Sequence, residues 1–148
     1  MSLIPALLLT QTTPPKVELD QVAAAVVERT NRERAREGLP ILRPNANLVR
    51  AAEFLAADLA NRRVLEHKDR DGRKLVERLE SAGYTGWTAV AENIAYGQKT
   101  PEDVVSAWMR SAGHRKNILD PDVTEIGVGC RTSSKGQTYW VQTFGSRG

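Results

Sequence analysis

The sequence predicts an α+β fold in which helices cover a small antiparallel sheet. Segments with helical periodicity come first, and two strand-like segments separated by turn residues come last, an order typical of this class. The length of 148 residues suits one domain. The chain is 41% hydrophobic and 26% charged, a composition that is typical of a globular protein and argues against a disordered one.

Two long helices open the predicted fold. The first covers Val17 to Glu37, where apolar residues recur at intervals of three and four, and Gly38 ends it. Asn45 or Asn47 caps the second helix, which ends near Asn61. Its apolar stripe is rich in alanine, which favours close packing against a neighbouring element.

Two further helices are predicted in the middle of the chain. A short one runs from Lys74 to Ala82 and directs three apolar residues inward, Leu75, Val76 and Leu79. The next begins at Thr100, which acts as the N-cap, with Pro101 in the first helical position and two acidic residues after it. Trp108 faces inward on this helix, and Gly113 is expected to end it.

The late segments Glu125–Cys130 and Thr138–Phe144 predict an antiparallel hairpin, because they alternate or run apolar around a Ser-Ser-Lys-Gly turn. Gly127 and Gly129 in the first of these strands favour a close backbone approach by another element. The earlier apolar segment Ala89–Tyr96 is compatible with either a strand or a loop against the core.

The first residues differ from the rest of the chain. Residues 1–16 are expected to be a flexible segment, and the domain is expected to cover residues 17–148. The apolar run from Leu3 to Leu9 contains Pro5 and has no Lys or Arg before Lys16, so it is either the remnant of a signal region or a loose terminus. No apolar run approaches the ~20 residues that a membrane helix needs, so no transmembrane segment is expected.

Charge and cysteine content argue against a nucleic-acid-binding protein and exclude a fold held together by disulfides. The 21 basic and 18 acidic residues are mixed along the chain, which argues against a nucleic-acid partner. With Cys130 as the one cysteine, no intramolecular disulfide can form, and this thiol is expected to be buried and inert.

Three residues are candidates for a functional site. His67 and His114 are the two histidines of the chain, and imidazoles bind zinc or copper or move protons near neutral pH. Alternatively, each of them caps a loop or a helix C-terminus. Glu92 interrupts an apolar segment, where a carboxylate is costly to bury unless it is paired. It either accepts backbone hydrogen bonds at a turn or faces a cation or an imidazole.

Neighbouring polar residues have weaker claims. Ser111 precedes His114 by three residues, and such a serine is a helix cap as readily as a nucleophile. Asn93 and Asn117 suit hydrogen bonding to the backbone at bends.

Several ordered motifs resemble one known family. They are the Ala-Glu-Asn-Ile-Ala segment 91–95, the Ser-Ala-Gly-His-Arg-Lys-Asn-Ile-Leu segment 111–119 and the Glu-Ile-Gly-Val-Gly segment 125–129. Together they closely resemble the bacterial branch of the CAP superfamily, also called SCP, which groups cysteine-rich secretory, antigen 5 and pathogenesis-related proteins. The resemblance extends over about Val22 to Phe144.

The resemblance implies an α-β-α sandwich and a cleft in which two histidines and two acids bind Zn²⁺ or another divalent cation. His67, Glu92 and His114 match three of these four residues, and they are the expected ligand-binding and metal-binding residues. Ser111 occupies the place of the second acid, and Gln98 the place of a serine found in some animal members. The set is therefore reduced to three, and a serine hydrolase is disfavoured. No organic cofactor is implied.

The resemblance also implies a secreted or cell-surface protein, expected as a monomer, whose partner is a small ligand, a lipid or a cell-wall component. The favoured hypothesis is a binding module that takes a divalent metal or a small ligand and is not an enzyme. One alternative is a hydrolase that acts through metal-bound water or through water activated by Glu92. The other is a structural or adhesive domain without a ligand.

Overall fold

The computed structural model describes residues 16–148, with side chains from residue 18 onward. Apart from Lys16, the predicted flexible segment 1–16 lies outside the described residues. The elements follow one another in this order: α1 (Lys16–Arg36), β1 (Arg43–Pro44), α2 (Ala46–Arg62), α3 (Leu75–Ser81), β2 (Trp87–Tyr96), α4 (Pro101–Met109), α5 (Ala112–Ile118), β3 (Glu125–Thr132) and β4 (Thr138–Arg147).

The four strands form one sheet in the order β1-β3-β4-β2. The predicted hairpin is confirmed, since β3 and β4 are antiparallel neighbours, with Glu125 opposite Gly145. The segment left open between strand and loop is strand β2, antiparallel to β4, with Glu92 opposite Thr143. The short strand β1 runs parallel to β3.

The sheet separates two helical layers because its side chains alternate between two faces. Ile126 and Val128 pack in one core with residues of α1 and α4. On the other face, α2 crosses the two glycines of β3 so closely that a Cβ at Gly129 would lie 2.6 Å from the backbone of Ala52. The glycines therefore allow the predicted close approach, and the fold is the expected α-β-α sandwich.

Local signals place the helix starts as predicted. Asn45, not Asn47, caps α2, because its side-chain oxygen accepts from two backbone N–H groups of the first turn. Thr100 caps α4 and Pro101 occupies its first position. Trp108 is buried, and its Nε1 donates to the Ile94 carbonyl at 3.2 Å, which fixes α4 against β2.

Two expectations for the helices are wrong. Val76 does not face inward but lies 37% exposed, because the short helix α3 turns Arg78 and Leu79 toward the core instead. Gly113 does not end α4, which stops at Met109, where the extended conformation of Ser111 breaks the helix. Gly113 lies inside α5, so His114 occupies the first turn of that helix and not the C-terminal end of α4.

A buried arginine holds α5 in place against α1. The guanidinium of Arg34 donates to the carbonyl groups of Pro40 at 2.9 Å, Ile118 at 2.9 Å and Asp120 at 2.7 Å. Two of these carbonyls lie at or just beyond the C-terminal end of α5, where a helix leaves its last carbonyl groups without partners of its own. Arg34 therefore fixes the segment that carries His114.

Among residues 16–148, none of the helices is both long enough and apolar enough to span a membrane.

Candidate functional site

Glu92 lies at the centre of the candidate site. It belongs to β2, which holds its backbone in the sheet, and its side chain is 2% exposed. Oε1 accepts from Nη2 of Arg78 at 2.7 Å and lies 3.0 Å from Nδ1 of His67. Of the two alternatives that the sequence left open, these contacts match the one in which Glu92 faces a cation and an imidazole.

His67 reaches Glu92 from the loop between α2 and α3, and its side chain is 56% exposed. Its carbonyl also accepts from Arg78 Nη2, at 2.9 Å. Within the same loop, the buried Asp69 accepts from the backbone and side chain of Arg73. Burial alone would raise the pKa of Asp69, but these hydrogen bonds outweigh it and hold the pKa below its ordinary value, so the loop contains a fixed ionised carboxylate.

His114 is the other histidine of the candidate site and lies on α5. Its Nδ1 lies 2.9 Å from Oγ of Ser111, the residue that begins the helix. Burial first, and the nearby His67 second, lower the pKa of His114 below its ordinary value. Both causes favour the neutral form of the His114 ring.

Two asparagines tie α5 to the strand that carries Glu92. Asn117 Nδ2 donates to Oδ1 of Asn93 at 2.9 Å and to the Glu92 carbonyl at 3.3 Å. Asn93 Nδ2 donates in turn to the His114 carbonyl at 3.1 Å. Both side-chain amides thus donate hydrogen bonds to the backbone, although Asn93 lies within a strand and not at a bend.

Sequence reasoning missed Arg78. This residue of α3 is buried, and its side chain contacts both Glu92 and the His67 loop through one nitrogen, Nη2. Its other two nitrogens, Nε and Nη1, have no hydrogen-bond partner among the described residues. A signal was present: a buried carboxylate at Glu92 requires a positive partner, and Arg78 stands between Leu75 and Leu79 on the apolar face of a short helix.

The candidate site contains three groups that could bind a metal, the imidazoles of His67 and His114 and the carboxylate of Glu92. Among residues 16–148, no three His, Cys, Asp or Glu side chains are grouped so as to hold a metal ion. Oε1 of Glu92 contacts Arg78 and His67, and Oε2 is buried without a hydrogen-bond partner among the described residues. In the described part of the chain both histidines use Nδ1 for hydrogen bonds, which leaves Nε2 of each ring for a ligand. A carboxylate behind a histidine is a common support of a metal-binding imidazole, and Glu92 stands in that position relative to His67.

The fold and this arrangement define a class of protein. Helices flank a four-stranded sheet, and a Glu-Asn pair on strand β2 contacts one histidine through its carboxylate and the backbone of the other through its amide. This is a CAP-type α-β-α sandwich.

The chain belongs to the cysteine-rich secretory protein family, CAP, whose sequence model matches residues 27–144. It is 43% identical over 119 residues to the uncharacterized protein YkwD of Bacillus subtilis, a match that covers 80% of this chain and 45% of that protein. The chain thus spans less than half the length of the curated relatives it matches.

Solved structures show the same fold. An outer surface protein from Borrelia burgdorferi superposes with a TM-score of 0.81 at 20% identity, over 93% of this chain and 98% of that one. An extracellular protein containing a SCP domain from Bacillus anthracis gives a TM-score of 0.76 at 24% identity, over 90% of this chain and 44% of that one. The predicted fold class and family are therefore confirmed.

Proposed function

We propose that this chain is a non-enzymatic binding domain that takes a divalent cation through Nε2 of His67 and Nε2 of His114. One observation carries the proposal: Nδ1 of each imidazole lies within hydrogen-bond distance of an oxygen that can accept from it, Glu92 Oε1 for one ring and Ser111 Oγ for the other. When Nδ1–H donates to an acceptor, Nε2 carries the lone pair that a cation needs.

The remaining residues of the site position the two histidines and do not bind the cation themselves. Glu92 sits behind His67 as an acceptor, which fixes the tautomer and makes the ring a better donor to a cation. Arg78 shares Oε1 of Glu92 with His67 and so holds this oxygen beside the ring, while Oε2 is buried without a hydrogen-bond partner among the described residues. Asn93 and Asn117 hold α5, and with it His114, against β2. A bound zinc ion would supply a Lewis acid with free positions for a polar ligand.

Calorimetric titration with Zn²⁺ at neutral pH tests the proposal. We expect the wild type to bind and both His67→Ala and His114→Ala to lose most of the affinity, because each removes one of two donors. Lys116→Ala is the matched control, since Lys116 is exposed on α5 two residues from His114. Its affinity should equal that of the wild type.

A wild type whose heat of titration equals that of the double variant His67→Ala/His114→Ala would overturn the metal proposal. Circular dichroism on all variants checks that they are folded. Affinity should also fall as pH drops through the histidine range near ~6.5, because protons compete for Nε2.

We also propose that the protein acts outside the cytoplasm, as a secreted or cell-surface domain for a small polar ligand, a lipid or a cell-wall component. Support comes from two similar structures, one of an outer surface protein and one of an extracellular protein. Fractionation of the producing cell, followed by immunoblotting of cytoplasm, envelope and medium, tests this. Recovery in the cytoplasm alone would contradict it.

A further inference from the structure

A pocket that does not include the two histidines lies between α2 and α3, the helix that carries Arg78. It has a volume of about 190 Å³ and is lined mainly by Arg50, Ala51, Phe54, Arg73, Arg78 and Ala82. Three of these residues carry guanidinium groups, and none of the described lining residues is acidic. The pocket therefore combines guanidinium donors with an apolar wall.

We propose that this pocket binds a small organic carboxylate, one whose acid group meets the arginines and whose apolar or aromatic body rests on Phe54 and the alanines. Guanidinium groups match the planar geometry of a carboxylate. Arg73 and Arg78 are each paired with a carboxylate through part of the guanidinium, whereas Arg50 has no such partner among the described residues. This site is separate from the two histidines and does not depend on the function proposed for them.

Arg78 gives the first reason. It lines the pocket, its side chain is 2% exposed, and neither Nε nor Nη1 has a partner among the described residues. Unsatisfied N–H groups of a buried guanidinium are costly, and both are sealed from water. Glu92 engages only Nη2. A carboxylate in the pocket would supply an acceptor for these N–H groups.

The other two arginines give the second reason. Arg50 is exposed, and its Nη1 donates only to the Ala82 carbonyl at 3.1 Å, so no carboxylate of the described residues neutralises it. Arg73 pairs with Asp69 through Nε and leaves Nη1 to a weak 3.3 Å contact with Ser81. Both retain donors for an incoming anion.

Phe54 gives the third reason, because it selects an organic anion over an inorganic one. Its ring is 45% exposed on the surface of α2, which is unusual for a residue of this size. The Arg73 guanidinium lies over that ring, 5.6 Å from its centre. The pair forms a wall with an apolar face and a cationic edge, which suits an apolar group ending in a carboxylate.

Four probes in calorimetry or NMR titration test the site: hexanoate, benzoate, hexanol and inorganic phosphate. We expect both carboxylates to bind, and hexanol, which lacks the charge, and phosphate, which lacks the apolar body, to bind at least tenfold more weakly. Arg50→Gln should weaken hexanoate binding about tenfold by removing one charge-assisted hydrogen bond. Phe54→Leu should weaken benzoate binding more than hexanoate binding, because the aromatic ring of benzoate loses the Phe54 ring on which it packs.

Controls separate this site from the histidine site and from folding defects. Arg32→Gln makes the same chemical change on the exposed face of α1 and should leave carboxylate binding unchanged. His67→Ala/His114→Ala should also retain it. Failure of both carboxylates to bind the wild type would overturn the proposal, as would equal affinity in Arg50→Gln. Phosphate binding as tightly as hexanoate would overturn its organic part.

Discussion

The buried pair of Arg78 and Glu92 gives the sharpest test of how the site is held together. Arg78→Met removes a guanidinium 2.7 Å from a carboxylate and keeps similar volume and length. Both side chains are 2% exposed, so Glu92 would stay buried with only the His67 ring beside it. Leaving one member of a buried ion pair alone costs about 3–5 kcal/mol. Urea denaturation followed by circular dichroism should show this loss, and a thermal melt should shift by about 10 °C.

The double variant Arg78→Met/Glu92→Leu decides whether the cause is the unpaired charge. It removes both charges, so we expect it to recover most of the stability that Arg78→Met loses. Arg32→Met is the control, because its ion pair with Glu28 is exposed and should change stability by no more than about 0.5 kcal/mol. A loss below about 1 kcal/mol for Arg78→Met, or a double variant as unstable as the sum of its single variants, would refute the reasoning.

Three further predictions concern packing, titration and the buried arginine of α1. Gly129→Ala should destabilise the fold by about 1–3 kcal/mol, because the new methyl group meets the α2 backbone. Gly113→Ala is the control and should not destabilise the fold, because Gly113 has open space around it and a helical backbone. Urea denaturation compares the two variants. The His114 ring should titrate below its ordinary pKa in an NMR titration, and its pKa should rise in His67→Ala while remaining depressed by burial. Since a neutral ring favours the folded state, the stability that His114 contributes should be complete above about pH 6.5 and should be lost as pH falls through its folded-state pKa. Arg34→Lys should cost about 3 kcal/mol in the same denaturation assay, because the guanidinium donates from three nitrogens to four carbonyl groups, which the single nitrogen of an ammonium cannot reach together.

Most of the fold could be predicted because its signals are local. Periodicity locates α1 and α2, and the caps Asn45 and Thr100 mark helix starts through side-chain hydrogen bonds made within three residues. The error at α4 has the same origin. Gly113 is a plausible helix end on local grounds, but the break occurs earlier, at the extended Ser111, where the chain turns so that α5 can pack on β2.

The site could be predicted only in part because its contacts join distant segments. Residue type and family resemblance single out His67, Glu92 and His114, yet they do not indicate which atom of each is engaged. Arg78 escaped notice because its importance depends on α3 lying beside β2, which no local pattern encodes. Its presence bears on the proposed chemistry, since Arg78 contacts the same Glu92 oxygen that faces His67.

Arg78 also connects the two proposed sites, and this leads to a prediction that requires both. Its guanidinium contacts Glu92 on the histidine side and lines the carboxylate pocket. A positive charge beside Glu92 opposes a cation at the histidines, so an anion that offsets this charge should raise the affinity for Zn²⁺.

Thermodynamic linkage then requires Zn²⁺ to raise the affinity for hexanoate by the same factor. Zinc titrations with and without saturating hexanoate measure the coupling. Arg50→Gln, assayed at the same hexanoate concentration, should show less of it because less hexanoate is bound. An unchanged zinc affinity in wild type that has hexanoate bound would mean that the two sites do not communicate through Arg78, even if each of them exists.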